Sequence, residues 1–183
     1  YTKEQGQAVA QLCYDMAVAS RMNFADAGSG TQIVEGAYAL RNHFGYSKDL
    51  YIDYASYFSE EEWVAKLKNE LRQKRPLPYG GTDKHSNEGH CFVIDGYNAE
   101  GLFHVNWGWS GEDNDYFLIT SLKPNNKGIG GGSKENDFSS DQQTIFNCVP
   151  DYEGTSQATE EHFRFSYTQC EGVGKDSIKI YSV

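Results

Sequence analysis

Apolar residues recur at Ala8, Val9, Leu12, Cys13 and Met16, the three- and four-residue spacing of one helix face. This spacing predicts a helix over residues 4–18, with Gly6 near its start. A loop of small residues, Phe24 to Gly30, follows. Ser29 or Thr31 can cap a second helix, with Ile33, Val34, Ala37, Leu40 and Phe44 on one face and Gly45 as its stop. Tyr51 to Tyr54 is a short strand candidate. Ser59-Glu60-Glu61-Glu62 reads as a capping box for a third helix to about Gln73, with Trp63, Leu67 and Leu71 as its buried stripe. Arg72, Lys74 and Arg75 at its exit suit the helix dipole, and Pro76 and Pro78 end it.

From Pro76 onward the pattern becomes that of strands. Candidates are 76–80, 90–96, 101–106, 115–120 and 142–148, with Asn98 to Gly101 as a turn. Helices first and strands after is an α+β order. Residues 123–141 form a long loop around Gly128-Ile129-Gly130-Gly131-Gly132, and loops of this length commonly serve function. After Pro150, residues 160–168 and 177–181 alternate, and two strands alone are marginal. The expected organisation is one domain over residues 1–150. Residues 151–183 are then a β-rich extension, either the start of a second β module or strands that dock on the first domain.

Composition narrows the classes of partner. A chain of 183 residues buries one good core. Its formal net charge of −10 disfavours nucleic acid and anionic membranes. No apolar run approaches the roughly 18 residues that span a bilayer. Tyr1 is not an initiator methionine, so the N-terminus is expected to come from processing or from the choice of expressed segment. The four cysteines, Cys13, Cys91, Cys148 and Cys170, form no CxxC pair, and no histidine has metal-ligand spacing. Neither a metal nor a cofactor is expected. Cys13 and Cys91 read as buried thiols; Cys148 and Cys170 can pair if the protein is exported. The acidic run Gly111 to Asp115 reads as a solvated turn rather than a calcium loop.

The chemistry concentrates in Gly89-His90-Cys91-Phe92-Val93-Ile94-Asp95-Gly96 and Phe103-His104-Val105-Asn106-Trp107-Gly108-Trp109. His90 heads one strand, and Asn106 and Trp107 end the next. An imidazole so placed can act as general base, an amide can orient its far nitrogen, and an indole can shield the pair from water. Gly89 lets a substrate backbone come close.

These two segments resemble the streptopain family of bacterial papain-like cysteine peptidases. The resemblance extends to Ala8–Met22, Ala39–Tyr46, Phe58–Trp63 and the Gly128–Gly132 run, covering roughly residues 5–150. It implies a partial papain-like fold, with His90 as catalytic histidine, Asn106 as its orienting residue and Trp107 beside them. It also implies that Gly28 and Ser29 line a substrate pocket and that Gly89 borders the neighbouring one. The stretch Thr82 to Glu88 is longer than the family pattern.

The family's nucleophile stands in a Gly-Cys-Val-Ala-Thr-Ala-like segment at a helix N-terminus, where the dipole lowers a thiol pKa. This sequence contains no such segment. Cys13, between Leu12 and Met16 on a mid-helix stripe, is no substitute, and Cys91 should point to the opposite face of the strand from His90. The expectation is therefore the histidine-bearing chain of a two-chain endopeptidase. Its partners are an N-terminal peptidase chain carrying the cysteine, peptide or protein substrates, and a propeptide inhibitor. The family also implies export, to the medium, the cell surface or the periplasm. The competing expectation is a non-catalytic adhesin, binding module or regulatory subunit on a peptidase-like scaffold.

Overall fold

The computed structural model describes residues 2–26, 28–124, 136–154 and 156. Helix α1, Lys3–Ala19, starts with a capping box in which Thr2 and Gln5 satisfy each other's backbone N–H. Its apolar stripe, read from the sequence as core, buries nothing. Val9 and Leu12 are 52% and 57% exposed, and Cys13 is exposed with them. The helix rests against α2, Ile33–His43, and no other described element covers the stripe.

Helix α2 starts without a side-chain cap. Ser29 instead accepts from Ala25 N, and Thr31 donates to the Ser20 carbonyl. Gly45, with φ +66°, turns the chain away after the helix. Helix α3, Glu60–Arg72, has the expected Ser59–Glu62 capping box and buries Trp63 and Leu67.

Six strands form one antiparallel sheet: β1 Tyr51–Tyr54, β2 Leu77–Thr82, β3 Gly89–Tyr97, β4 Phe103–Asn106, β5 Asp115–Phe117 and β6 Ser140–Phe146. Their order is β1-β6-β2-β3-β4-β5, so the last strand inserts between the first two. Neighbours on a strand face opposite ways, which splits the core in two. Phe146 joins Trp63, Leu67, Tyr79, Phe92, Ile94 and Trp107 under α3. Ile145, one residue earlier, joins Ala37 and Leu50 under α2.

Beyond Pro150 the chain still bonds to the residues before it: Asp151 N donates to Gly45 O at 2.8 Å, and Lys48 N to Ser156 Oγ at 2.9 Å. Most of the extension expected over 151–183, including the alternating segments 160–168 and 177–181, lies outside the described residues, as do the Gly128–Gly132 run and Cys170.

The main core contains one polar chain. Trp63 Nε1 donates to Tyr79 Oη at 2.8 Å, and Tyr79 Oη donates in turn to Gln142 Oε1. All three side chains are buried, so the hydroxyl between them serves both neighbours. Tyr79→Phe is expected to lower the unfolding free energy by about 1–3 kcal/mol, because it strands a buried N–H and a buried amide oxygen. Urea unfolding of the two proteins measures this directly.

Candidate active site

Alternation along β3 sends His90, Phe92 and Ile94 toward the main core, and Gly89, Cys91 and Val93 away from it. His90 lies directly across the ladder from Gly81 on β2. There β2 has no side chain, and a Cβ on Gly81 would stand 2.0 Å from the Phe138 carbonyl oxygen. The main chain of Phe138 occupies that space. Its ring, fully buried, lies 5.5 Å from the imidazole. Trp109 stacks on the imidazole at 4.9 Å, and Trp107 lies at 6.2 Å. The imidazole is thus held among aromatic rings and largely removed from water. Desolvation lowers its pKa below 6.5, and the hydrogen bond to Trp107 offsets part of that shift.

That hydrogen bond decides the tautomer. His90 Nε2 lies 2.9 Å from the Trp107 carbonyl oxygen. A carbonyl only accepts, so Nε2 carries the proton. Nδ1 is left with its lone pair and has no hydrogen-bond partner among the described residues. A neutral imidazole in this state can take a proton at Nδ1 while its Nε2 side is anchored.

Trp107 is itself fixed on three sides. Its N–H donates to Asn114 Oδ1 at 3.0 Å, its Nε1–H to the Asp113 carbonyl at 3.1 Å, and its ring is fully buried. The acidic turn at 111–115 is therefore a clamp on the indole. Asn106 does not reach His90 here. Alternation on β4 turns Phe103 and Val105 to the core and leaves Asn106 exposed on the other face. Its Oδ1 accepts from Gly108 N at 3.0 Å, and Gly108 has φ +80°. The amide thus shapes the bend that presents the Trp107 carbonyl.

The other expected residues are placed as follows. Gly89 is exposed at the rim, paired with Thr82. Gly28 and Ser29 are exposed in the loop before α2, bonded within that loop, and no contact joins them to His90. His104 faces away from the imidazole and pairs with Asp95 at 2.5 Å. Cys91, expected to be buried, is exposed on the opposite sheet face, although the protein around its thiol raises the pKa. The Cys148 thiol is pushed up to about 11 by burial and by Glu70. No hydrogen bond joins Cys13, Cys91 or Cys148 to His90. The sequence reading missed the contribution of Phe138, which follows a glycine-rich stretch and has no partner residue nearby in sequence to flag it.

Residues 1–117 match the model of the Peptidase C10 family. The chain belongs to that family. Over 147 residues it is 37% identical to the thiol protease/hemagglutinin PrtT of Porphyromonas gingivalis, covering 80% of this chain and 16% of that protein. Over 129 residues it is 33% identical to streptopain of Streptococcus pyogenes, covering 70% of this chain and 32% of that protein. Its structure resembles the active wild-type interpain A cysteine protease of Prevotella intermedia, with a TM-score of 0.72 and 34% identity over 81% of this chain and 59% of that one. The fold is accordingly a partial papain-like peptidase fold. The chain spans less than a third of these curated relatives and about three fifths of the solved peptidase.

Two results are expected of this C10 site. Gly81→Ala forces the Phe138 main chain away, so the melting temperature falls and the backbone amide signals of 136–139 shift in NMR spectra. The lowered His90 pKa has a stability consequence with a definite sign. Between the folded pKa and 6.5 the unfolded chain binds more protons, so stability is fully present above 6.5 and is lost as pH falls below it. His90→Gln is expected to flatten that part of the stability–pH curve, as denaturant titrations between neutral and mildly acidic pH would show.

Proposed function

We propose that this chain is the histidine-bearing part of a cysteine endopeptidase, with the nucleophilic cysteine supplied by a separate chain. The observation that carries this reading is the Trp107 carbonyl on His90 Nε2, which leaves Nδ1 ready to accept a thiol proton. The relatives support it, interpain A being a cysteine protease and PrtT a thiol protease/hemagglutinin.

In this reading the thiol proton moves to His90 Nδ1, giving a thiolate–imidazolium pair. The aromatic walls strengthen that pair by excluding water. The thiolate attacks the peptide carbonyl, and the imidazolium protonates the departing amine. Water then cleaves the thioester, with His90 again as base. Trp107 holds the ring through its carbonyl, and Asn106, accepting from Gly108 N, shapes the bend that presents that carbonyl. Gly89 gives the substrate backbone room at the rim, and Gly28 and Ser29 line a pocket for a substrate side chain once the second chain is present.

The exposed α1 stripe supports association. Val9 and Leu12 belong to an apolar face that suits the cysteine-bearing chain. A propeptide inhibitor belongs to the same picture, because a prointerpain A fragment also matches, with a TM-score of 0.65 and 32% identity. Export from a bacterial cell fits these relatives, and no helix among the described residues is long and apolar enough to cross a membrane.

The test is intact mass spectrometry of the native preparation after an epoxide-type thiol inhibitor. The expected result is a label on a second chain and none on this one. A label on Cys13 would overturn the assignment. A preparation with no label and no second chain favours the other reading, a binding module, which the hemagglutinin half of the PrtT name supports. In the assembled enzyme, His90→Ala is expected to lower peptide hydrolysis by about 10²–10⁴-fold, the usual weight of a general acid–base. Leu12→Asp is expected to abolish co-purification of the second chain while leaving the circular dichroism of this chain unchanged.

A further inference from the structure

We propose that Asp83 is a positioning residue for the imidazole. Its buried carboxylate fastens the segment bearing Phe138 to the hairpin that carries His90. The consequence for hydrolysis rests on the peptidase reading above; the mechanical link does not.

The connection from β2 to β3 is built around Asp83, which has no exposed surface. Its Oδ2 accepts from Ser86 N at 2.9 Å and from Ser86 Oγ at 2.7 Å. Its Oδ1 accepts from Asp137 N at 2.7 Å, across 54 residues of sequence. The next residue returns the link, since Lys84 N donates to the Asp137 carbonyl at 3.0 Å. Lys84 Nζ also pairs with the Asp137 carboxylate at 3.2 Å. The two backbones are tied in both directions just before Phe138.

Three donors converge on the two oxygens of Asp83. A carboxylate can accept all three, whereas an amide would turn an NH₂ toward one donor group. Burial alone would raise the Asp83 pKa, but the hydrogen bonds from Asp137 and Ser86 outweigh it and hold the carboxyl below its ordinary range. The charge is therefore kept where the bonds need it.

The link ends at the imidazole. Asp137 precedes Phe138, whose carbonyl fills the gap over Gly81 and whose ring lies 5.5 Å from His90. The ring of His90 also meets Trp109, at 4.9 Å. If Phe138 withdraws, one wall of the imidazole slot opens and the ring gains freedom to turn about χ1 and χ2. Asp83 never touches the reacting atoms; it acts through Phe138.

The experiment compares Asp83→Asn with Ser86→Ala in the assembled enzyme. Ser86→Ala removes a hydroxyl donor and leaves the Asp83–Asp137 bond in place. Two readouts are taken: the His90 Hε1 resonance, shifted by the surrounding ring currents, and kcat and KM on a peptide substrate. For Asp83→Asn the Hε1 signal is expected to move toward the free-imidazole position. Its kcat is expected to fall about tenfold to hundredfold with KM nearly unchanged, the scale of a misplaced catalytic group. Ser86→Ala is expected to stay close to wild type in both. A folded Asp83→Asn protein with an unmoved Hε1 signal overturns the proposal. Movement of the signal in a preparation whose wild type hydrolyses nothing leaves the link standing and removes the peptidase reading. Should Asp83→Asn not fold, hydrogen exchange of the wild type decides. Strong protection of the Asp137 amide supports the link, and exchange at the rate of an open amide overturns it.

Discussion

Main-chain contact between β2 and the segment at Phe138 requires that Gly81 lack a side chain, and the rest of the site follows from that contact. A methyl group there would meet the Phe138 carbonyl at 2.0 Å, a distance that packing cannot absorb. Because the space is open, Phe138 enters the core beside His90 and joins Trp109 among the rings around the imidazole. Desolvation, the lowered pKa and the fixed ring all derive from this arrangement. The dense aromatic packing around His90 is thus produced by the smallest residue in the neighbourhood.

The same region shows how the sheet separates tasks by parity. Even-numbered residues of β3 build the core and present the imidazole, while Cys91 and Val93 look out on the other side. On β4 the parity is reversed, and Asn106 leaves the core face just where Trp107 enters it. Orientation of the histidine then passes to a backbone atom, with the asparagine one bond removed.

Much of this was legible in the sequence. The Ser59 capping box, the α3 stripe, six strands near their true positions and the clustering of His90 with Trp107 all follow from local chemistry. Less legible were features set by distant contacts. The α1 stripe has perfect helical spacing, yet spacing states only that a face is apolar, not that anything described here covers it. Cys13 was read as buried for the same reason. The cap of α2 failed because Ser29 and Thr31 are engaged elsewhere, with Ala25 and Ser20. Asp83 has a local partner in Ser86, but its bond to Asp137 across 54 residues carries no local signal, and neither does the meeting of Phe138 with Gly81 and His90.

The acceptor on His90 Nε2 belongs to the peptide bond that follows Trp107, and every amino acid possesses that oxygen. The side chain at position 107 therefore supplies a buried indole wedge and not the acceptor. An alanine scan would pass over the group that sets the tautomer, since no codon change at that position deletes it. Only an alteration of the bend at Asn106 and Gly108, or replacement of the amide by an ester through chemical synthesis, reaches the bond. The group that sets the tautomer is hidden in the part of the chain that genetics cannot rewrite.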